Sequence, residues 1–439
     1  MKKITVPGIL VLYHRHLLGK DAATVNENIE AFEKHSKFPV WKVNTEIVPS
    51  KDLEKLEFNV IIFHYSIFAE KYHLSDEYIN FIQQSQNSHK IAFFQDEYRF
   101  CKQRFKFMND FNIDTVYTCV EPEYYHLVYG KYTNVKHIKT CFPGYVSKEL
   151  PEIGKNFFVP DEKRNLDIGY RGRQLDFFMG KGAQEKHVIG WDFKKLCENN
   201  NLNLNIDVDS EENSRLYGDK WYKFMANCKG VLGVESGVSI FDIEDKVIKA
   251  CDIFLKSKPN ATFEETFDSI LFEWENNIPL RTVSPRHFEA SAFRNCQILF
   301  EGNYSGVLKP YEHYIPLKKD YSNFDEVIKI FTNEKERNEI TSRAYRDIIE
   351  SGNYTYKKFI EGFDEHLSNV GVKKEDFNKD KIDKIINRGL SIRKAQKLSS
   401  TVAMSYARRT FWFIMKDEDK RKALKNNIKK IFRTIKNNR

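Results

Sequence analysis

The sequence lacks paired cysteine motifs, a zinc-protease signature and any long apolar run. Its seven cysteines, Cys101, Cys119, Cys141, Cys197, Cys228, Cys251 and Cys296, are odd in number and never spaced C-x-x-C. Several sit in apolar runs, as Cys119 does in VYTCV, so they read as buried thiols in a reducing compartment, not as disulfides or metal ligands. The twelve histidines include no H-E-x-x-H, which excludes that zinc arrangement and argues against a structural metal. No stretch of about 18 apolar residues exists to span a bilayer. The opening MKKITVPGILVLYHRH reads as a first β-strand and not as a leader, because its short apolar stretch runs into His14, Arg15 and His16. Neither a repeat of fixed period nor a low-complexity segment is present.

What is present supports a large globular body. Of 439 residues, 41% are hydrophobic and 30% charged, enough for sizeable cores beneath a hydrated surface. The length suits two domains and an appendage. The formal net charge of +8 divides unevenly: residues 381–439 carry 18 Lys and Arg against 4 Asp and Glu, leaving 52 against 58 in residues 1–380. A mildly acidic body therefore bears a strongly basic tail.

Apolar runs alternate with helical stretches through the first 150 residues. GILVLYH, NVIIFHYSI, HKIAFFQDE, DTVYTCV and HIKTCF read as strands, and ATVNENIEAFEKH and SDEYINFIQQSQ as helices, the first with Thr24 as its cap. Continuous apolar strands between helices imply a parallel sheet covered on both faces. PGYVSKELPEIGKNFFVPDEKR (143–164) reads as an inter-domain connection. A second alternation follows from Leu166 through strands LDIGYRGR, NLNIDV, GVLGVESGVSIFD, QILFEG and HYIPL, with a single helical stretch over 324–351. The expected boundaries are 1–150 and 151–352 for two Rossmann-like domains, 353–372 for a helix and 373–439 for a basic helical tail. Doubly wound domains in tandem place their ligand at the carboxyl ends of the strands, in the cleft between them.

Two segments carry the chemistry. In DIGYRGRQLDFFMGKGAQEKHVIGWDF a strand ends in Arg171 and Arg173, and a helix begins near Ala183 with Lys181 and Lys186 close by. A glycine-bearing basic loop at a helix start suits a diphosphate, through backbone N–H groups and cationic side chains; an exposed basic loop on an ordinary α/β unit has the same composition. In SPRHFEASAFRNCQILFEGNYSG, Arg286 and Glu289 open a short helix before a strand. A carboxylate there can accept from ribose hydroxyls, or simply complement the helix dipole.

The order of these segments resembles the second domain of GT-B glycosyltransferases, the group 1 or family-4-like enzymes of bacterial surface-polysaccharide synthesis. Arg173 and Lys186 match that family's diphosphate-binding Arg and Lys, with Arg171 and Lys181 as alternatives. Glu289, in EASAFRNCQIL, matches its ribose-binding Glu. The family's second glutamate, eight residues earlier, is replaced by Arg281, and its Gly-x-Pro by Arg294-Asn295-Cys296. Its serine-rich loop corresponds to GVLGVESGVSIFD, which would bring Glu235 and Ser236 to the donor. The resemblance covers residues 166–330. It implies two Rossmann-like doubly wound domains facing across a cleft (GT-B), no required cofactor or metal, and a UDP- or GDP-sugar as donor.

A general base in such an enzyme comes from the first domain. His14, His16, His64, Asp96 and Glu97 follow its strands, and Asp96 and His16 are the pair expected to be catalytic; a plain polar role is the alternative for each. His313 reads as either a cleft or a core residue. In the tail, Phe411, Trp412 and Phe413 lie among Arg408, Arg409 and Lys416, a composition that suits an anionic lipid interface first, with an appendage packed on the body and nonspecific nucleic-acid binding as the alternatives. The expectation is a cytoplasmic transferase, peripheral at the inner face of the plasma membrane, moving a sugar from a nucleotide-diphosphosugar to a glycan or lipid-linked acceptor. A sugar-nucleotide epimerase or phosphorylase of the same shape, and a non-enzymatic nucleic-acid-binding protein, are the alternatives; specific nucleic-acid recognition is not expected.

Overall fold

A computed structural model describes residues 3–18, 23–375 and 377–414. The first sheet has six parallel strands in the order β2-β1-β3-β4-β5-β6. They are β1 (Ile4–Tyr13), β2 (Val40–Asn44), β3 (Leu56–Phe63), β4 (His89–Phe93), β5 (Thr115–Thr118) and β6 (His137–Thr140). Helices α1 (Ala23–His35), α2 (Asp76–Gln84) and α3 (Cys101–Asp110) cover its faces. Both faces are covered, so β1 and β3 are apolar without alternation: Leu10 pairs with Ile61 and Val11 with Ile62, all fully buried. Two details differ from the sequence reading. Strand β2 was not anticipated, and α1 already begins at Ala23, which puts Thr24 inside the helix.

The segment 143–164 is not a bare connection. It holds α4 (Leu150–Asn156), packed on a helix of the second domain, α9 (Pro285–Ala292). That domain has a five-stranded parallel sheet ordered β13-β12-β9-β7-β8. Its strands are β7 (Leu166–Arg171), β8 (Ile206–Asp209), β9 (Cys228–Gly233), β12 (Cys296–Phe300) and β13 (Ile315–Leu317). Helices α5 (Lys181–Asn199) and α6 (Asp219–Asn227) connect the first three. The helical stretch over 324–351 is divided: α10 (Phe324–Thr332) stops at Asn333, whose side chain caps α11 (Glu334–Ala344) by accepting from the Lys335 and Glu336 amides.

Each sheet begins in the doubly wound order second-first-third-fourth-fifth, so each has a switch point between its first and third strands. Two Rossmann-like domains thus face one another, as the sequence implied. Between β9 and β12 the chain adds an antiparallel pair, β10 (Ser236–Val238) and β11 (Leu280–Thr282). An excursion containing α7 (Val247–Ser257) and α8 (Phe263–Thr266) separates them. It docks on the first domain: the Asp242 amide donates to the Tyr98 carbonyl at 2.9 Å, and Asp245 accepts from the Cys101 amide at 3.2 Å. Phe241, Val247, Phe267 and Leu271 join the first domain's apolar core.

Helix α12 (Tyr356–Asn369) crosses back to α1, where Phe363 meets Phe32 at 5.3 Å and Asp364 accepts from Ser36 and the Lys37 amide. Helices α13 (Lys379–Ile386) and α14 (Leu390–Ile414) begin the tail. Ile382 and Ile386 are buried in the first domain's core, and Arg388 and Lys397 pair with Asp52 and Glu46. The group Arg408, Arg409, Phe411, Trp412, Phe413 and Lys416 lies outside the described residues and side chains. Among the described residues no helix is long and apolar enough to cross a membrane.

Candidate functional site

A cleft of about 350 Å³ opens between the domains at the carboxyl ends of β4, β7 and β9. Asp96 and Tyr98, just after β4, form the first-domain wall. The second domain contributes the Tyr170–Arg173 turn, Lys186 of α5, Arg215, Trp221 of α6, Ser236, and Arg286 and His287 of α9. The cleft therefore lies at the second sheet's switch point, where β7 and β9 send the chain in opposite directions.

Local chemistry builds each wall. Gly172 lets the turn press onto α5, since a Cβ there would strike the Lys186 carbonyl. Tyr170 reinforces this contact by donating to the same carbonyl at 2.7 Å. Helix α9 starts with Pro285 after Ser284, whose hydroxyl accepts from the Arg286 amide. In return His287 Nδ1 accepts from the Ser284 amide at 3.0 Å. That bond leaves the proton on Nε2. Burial pushes the imidazole down to about 3, so His287 is a neutral donor at the cleft floor. The two chemistry-bearing segments meet: the Arg286 guanidinium donates to the Arg171 carbonyl and lies 5.5 Å from the Trp221 ring centre.

Lys186 is the electrostatic centre. Burial first, then the charges of Arg281, Arg286 and Arg173, push its ammonium from 10.5 down to about 8, while Asp96 across the cleft opposes the fall. No carboxylate forms an ion pair with it among the described residues. A partly buried cation crowded by other cations is stabilised by a bound anion.

The other expected residues are distributed unevenly. Arg173 is exposed and lines the cleft, as does Ser236. Arg171 lines it too, but its guanidinium is held by Asp207 at 2.8 Å and by the Tyr170 and Asp207 carbonyls, over the Phe224 ring. Lys181 turns away, with its ammonium 4.0 Å from the Phe267 ring centre. The first amides of α5 are taken as well: Glu275 accepts from Lys181 N at 3.2 Å and Ser239 from Gly182 N at 2.9 Å. The expectation that this helix start presents free N–H groups is thereby corrected, and side-chain cations carry the anion-binding character.

Glu235 points away from the cleft. Its carboxylate accepts from the Asn303 and Tyr304 amides at 3.1 and 2.8 Å and faces Arg281. Arg281 in turn is committed to Glu185, Glu235 and the Gly182 carbonyl. Glu289 sits behind the wall, accepting from the Trp221 indole at 3.0 Å, and burial pushes its carboxyl up to about 7. Trp221, not Glu289, lines the cleft.

In the first domain only Asp96 of the candidate bases reaches the cleft. Glu97 is buried and accepts from Thr118, Tyr129 and the Cys119 amide. His64 is buried against Ser66. His16 lines a separate cavity of about 430 Å³ between the β1 and β2 ends and the tail helices. His313 is buried beside Asp347, outside the cleft. Sequence reading missed Tyr98, Arg215, Trp221 and His287. Trp221, in the first turn of a helix after a polar loop, was the most visible of these.

No family model matches the chain, and no curated protein matches it. Solved structures do. TarM is 13% identical with a TM-score of 0.39, over 72% of this chain and 55% of TarM, so the chain spans about half of that protein's length. The likeness is one of shape. HepE of Anabaena, solved in complex with UDP and glucose, is 8% identical with a TM-score of 0.45, over 83% of this chain and 100% of HepE. Sucrose-phosphate synthase from Thermosynechococcus elongatus is 10% identical with a TM-score of 0.43, over 82% and 98% of the two chains.

Proposed function

We propose that the chain is a glycosyltransferase whose donor is a nucleotide-diphosphosugar and whose acceptor is a glycan or lipid-linked glycan of the cell surface. The observation that carries this reading is the unpaired ammonium of Lys186, facing a cleft with Arg173 and Arg286 on its own side and Asp96 opposite. A diphosphate neutralises that cluster. Lys186 and Arg286 then stabilise the charge that grows on the leaving phosphate oxygen as the sugar C1–O bond breaks. His287 Nε2–H adds a neutral donor at the cleft floor.

Asp96 is the general base of this scheme. It takes the proton of the acceptor hydroxyl as that oxygen bonds to C1. Trp221, fixed by Glu289, offers an aromatic face for the nucleoside, so Glu289 acts through Trp221 in this reading. The basic tail gives the enzyme an electrostatic affinity for anionic lipid, at about 1 kcal/mol for each cation near the surface, which suits a cytoplasmic enzyme acting at the inner face of the membrane.

Calorimetric titration with UDP and GDP, on the wild type and on Arg173→Ala, tests the donor site. Binding weakened by the substitution supports it; equal affinity in both chains removes Arg173 from the site. Incubation with UDP- or GDP-sugar alone separates transfer from epimerase or phosphorylase chemistry, because an isomer or sugar phosphate released without acceptor contradicts the transferase.

A further inference from the structure

We propose that His14, His16 and Glu46 form a binding site for a divalent transition-metal ion of the zinc class, separate from the donor cleft. Strands β1 and β2 run in parallel register to Tyr13 and Asn44, so the residues after them leave the sheet side by side. Glu46 Oε2 then lies 3.6 Å from His14 Nε2 and 3.8 Å from His16 Nδ1, and one ligand atom from each residue falls within 4.8 Å of the others. Two imidazoles and a carboxylate on a tetrahedral ion stand about 3.4 Å apart, given metal–ligand distances of about 2.0–2.1 Å. The two Glu46 edges stand within a few tenths of an ångström of that spacing, and the edge between the imidazoles, which is within 4.8 Å, closes by up to about 1.4 Å as the exposed His16 ring turns.

Three further observations point to a ligand here. His14 is 7% exposed, and neither of its ring nitrogens has a hydrogen-bond partner among the described residues, an arrangement a buried polar group rarely tolerates. His73 lies face to face on His14, with ring centres 3.6 Å apart, and fixes the imidazole plane without supplying it a partner. Glu46 is also divided in function: Oε1 faces the Lys397 ammonium at 3.3 Å, which leaves Oε2 for the two histidines. The cluster follows the first strand of the first sheet, beside that sheet's own switch point, and the His14 amide is tied across to Ser66 after β3 at 3.0 Å. His16 also lines the 430 Å³ cavity against the tail helices. With three protein ligands, the ion keeps a fourth position for water or an oxygen ligand.

The test is titration of the metal-stripped full chain with Zn²⁺ by calorimetry, and with Co²⁺ by visible absorption. The expected result is one equivalent bound, tetrahedral Co²⁺ bands and no heat with Mg²⁺, as this donor set dictates. His16→Ala, at an exposed position, and Glu46→Gln, which keeps the size of the side chain, each weaken Zn²⁺ at least about tenfold. His73→Phe, which keeps the stack, leaves it intact. Absence of stoichiometric Zn²⁺ binding overturns the proposal, as does binding unchanged in both His16→Ala and Glu46→Gln.

Discussion

Replacing Lys186 by methionine should make the ligand-free protein more stable and the nucleotide complex weaker. The ammonium titrates at about 8 instead of 10.5 because it is buried among guanidinium groups. At about 1.4 kcal/mol for each tenfold change in proton affinity, its charge costs the folded state roughly 3 kcal/mol at neutral pH. Solvent at the cleft mouth reduces this to about 1–3 kcal/mol. A lysine with a depressed folded pKa carries that penalty in full below pH 8 and sheds it as pH rises towards 10.5. The gain of Lys186→Met in urea denaturation should therefore be largest at pH 7 and shrink by pH 10. A nucleoside diphosphate reverses the balance, because a charge-assisted hydrogen bond to Lys186 contributes about 1.5–3 kcal/mol, or roughly 10–100-fold in affinity. Calorimetry with UDP at pH 7 should show that loss in the variant. Wild-type affinity should itself fall about tenfold from pH 7 to 9, as the free ammonium loses its proton. A variant no more stable than wild type, with unchanged UDP affinity and no pH dependence, would show that Lys186 is neither a strained cation nor a phosphate ligand.

Other outcomes follow from the same geometry. Asp96→Asn should lower turnover about 10²–10⁴-fold while leaving UDP affinity unchanged, measured by steady-state transfer and calorimetry. Glu289→Gln should stabilise the fold by about 1–3 kcal/mol at pH 8 and by little at pH 4.5. Burial has raised this carboxyl to about 7 from 4.5, so its contribution is complete below 4.5 and is lost as pH rises through 7; paired urea melts at the two pH values check the sign. Deleting residues 407–439 should abolish co-sedimentation with anionic vesicles at low salt and leave UDP binding intact, and vesicle binding that survives the deletion would remove the tail from that role.

Much of the fold was legible because a doubly covered parallel sheet writes itself as continuous apolar runs. ILVLY and VIIF needed no context. Strand β2 was hidden because VWKVN is short, lies at the sheet edge and includes Lys42, whose ammonium reaches Glu30 and Glu33. Strands β10 and β11 are three residues each and too short for periodicity to register. The single helix expected over 324–351 broke where Asn333 satisfies the amides of a new helix start.

The site was legible only in part, because adjacency in sequence does not set direction in space. Glu235 and Ser236 are neighbours, yet successive side chains of extended chain point to opposite faces. Ser236 reaches the cleft and Glu235 clamps the loop at Asn303. His16 and Asp96 both follow strands, but β3 stands between β1 and β4, so they open into different cavities. Lys181 lies beside the basic turn in sequence and leaves the cleft because Phe267, from the excursion after β10, takes its ammonium. Trp221 acquires its role from Glu289, 68 residues away, which no local pattern links to it, and His287 takes the place of the usual Glu or Gln in a capping box with Ser284.

Diffraction from crystals soaked with UDP is the most direct measurement. Density is expected for two phosphates within hydrogen-bond reach of Lys186 and Arg286, with Asp96 facing the end of the diphosphate. Nucleotide density at any other surface, or a cleft that stays solvent-filled at saturating UDP, would contradict this placement.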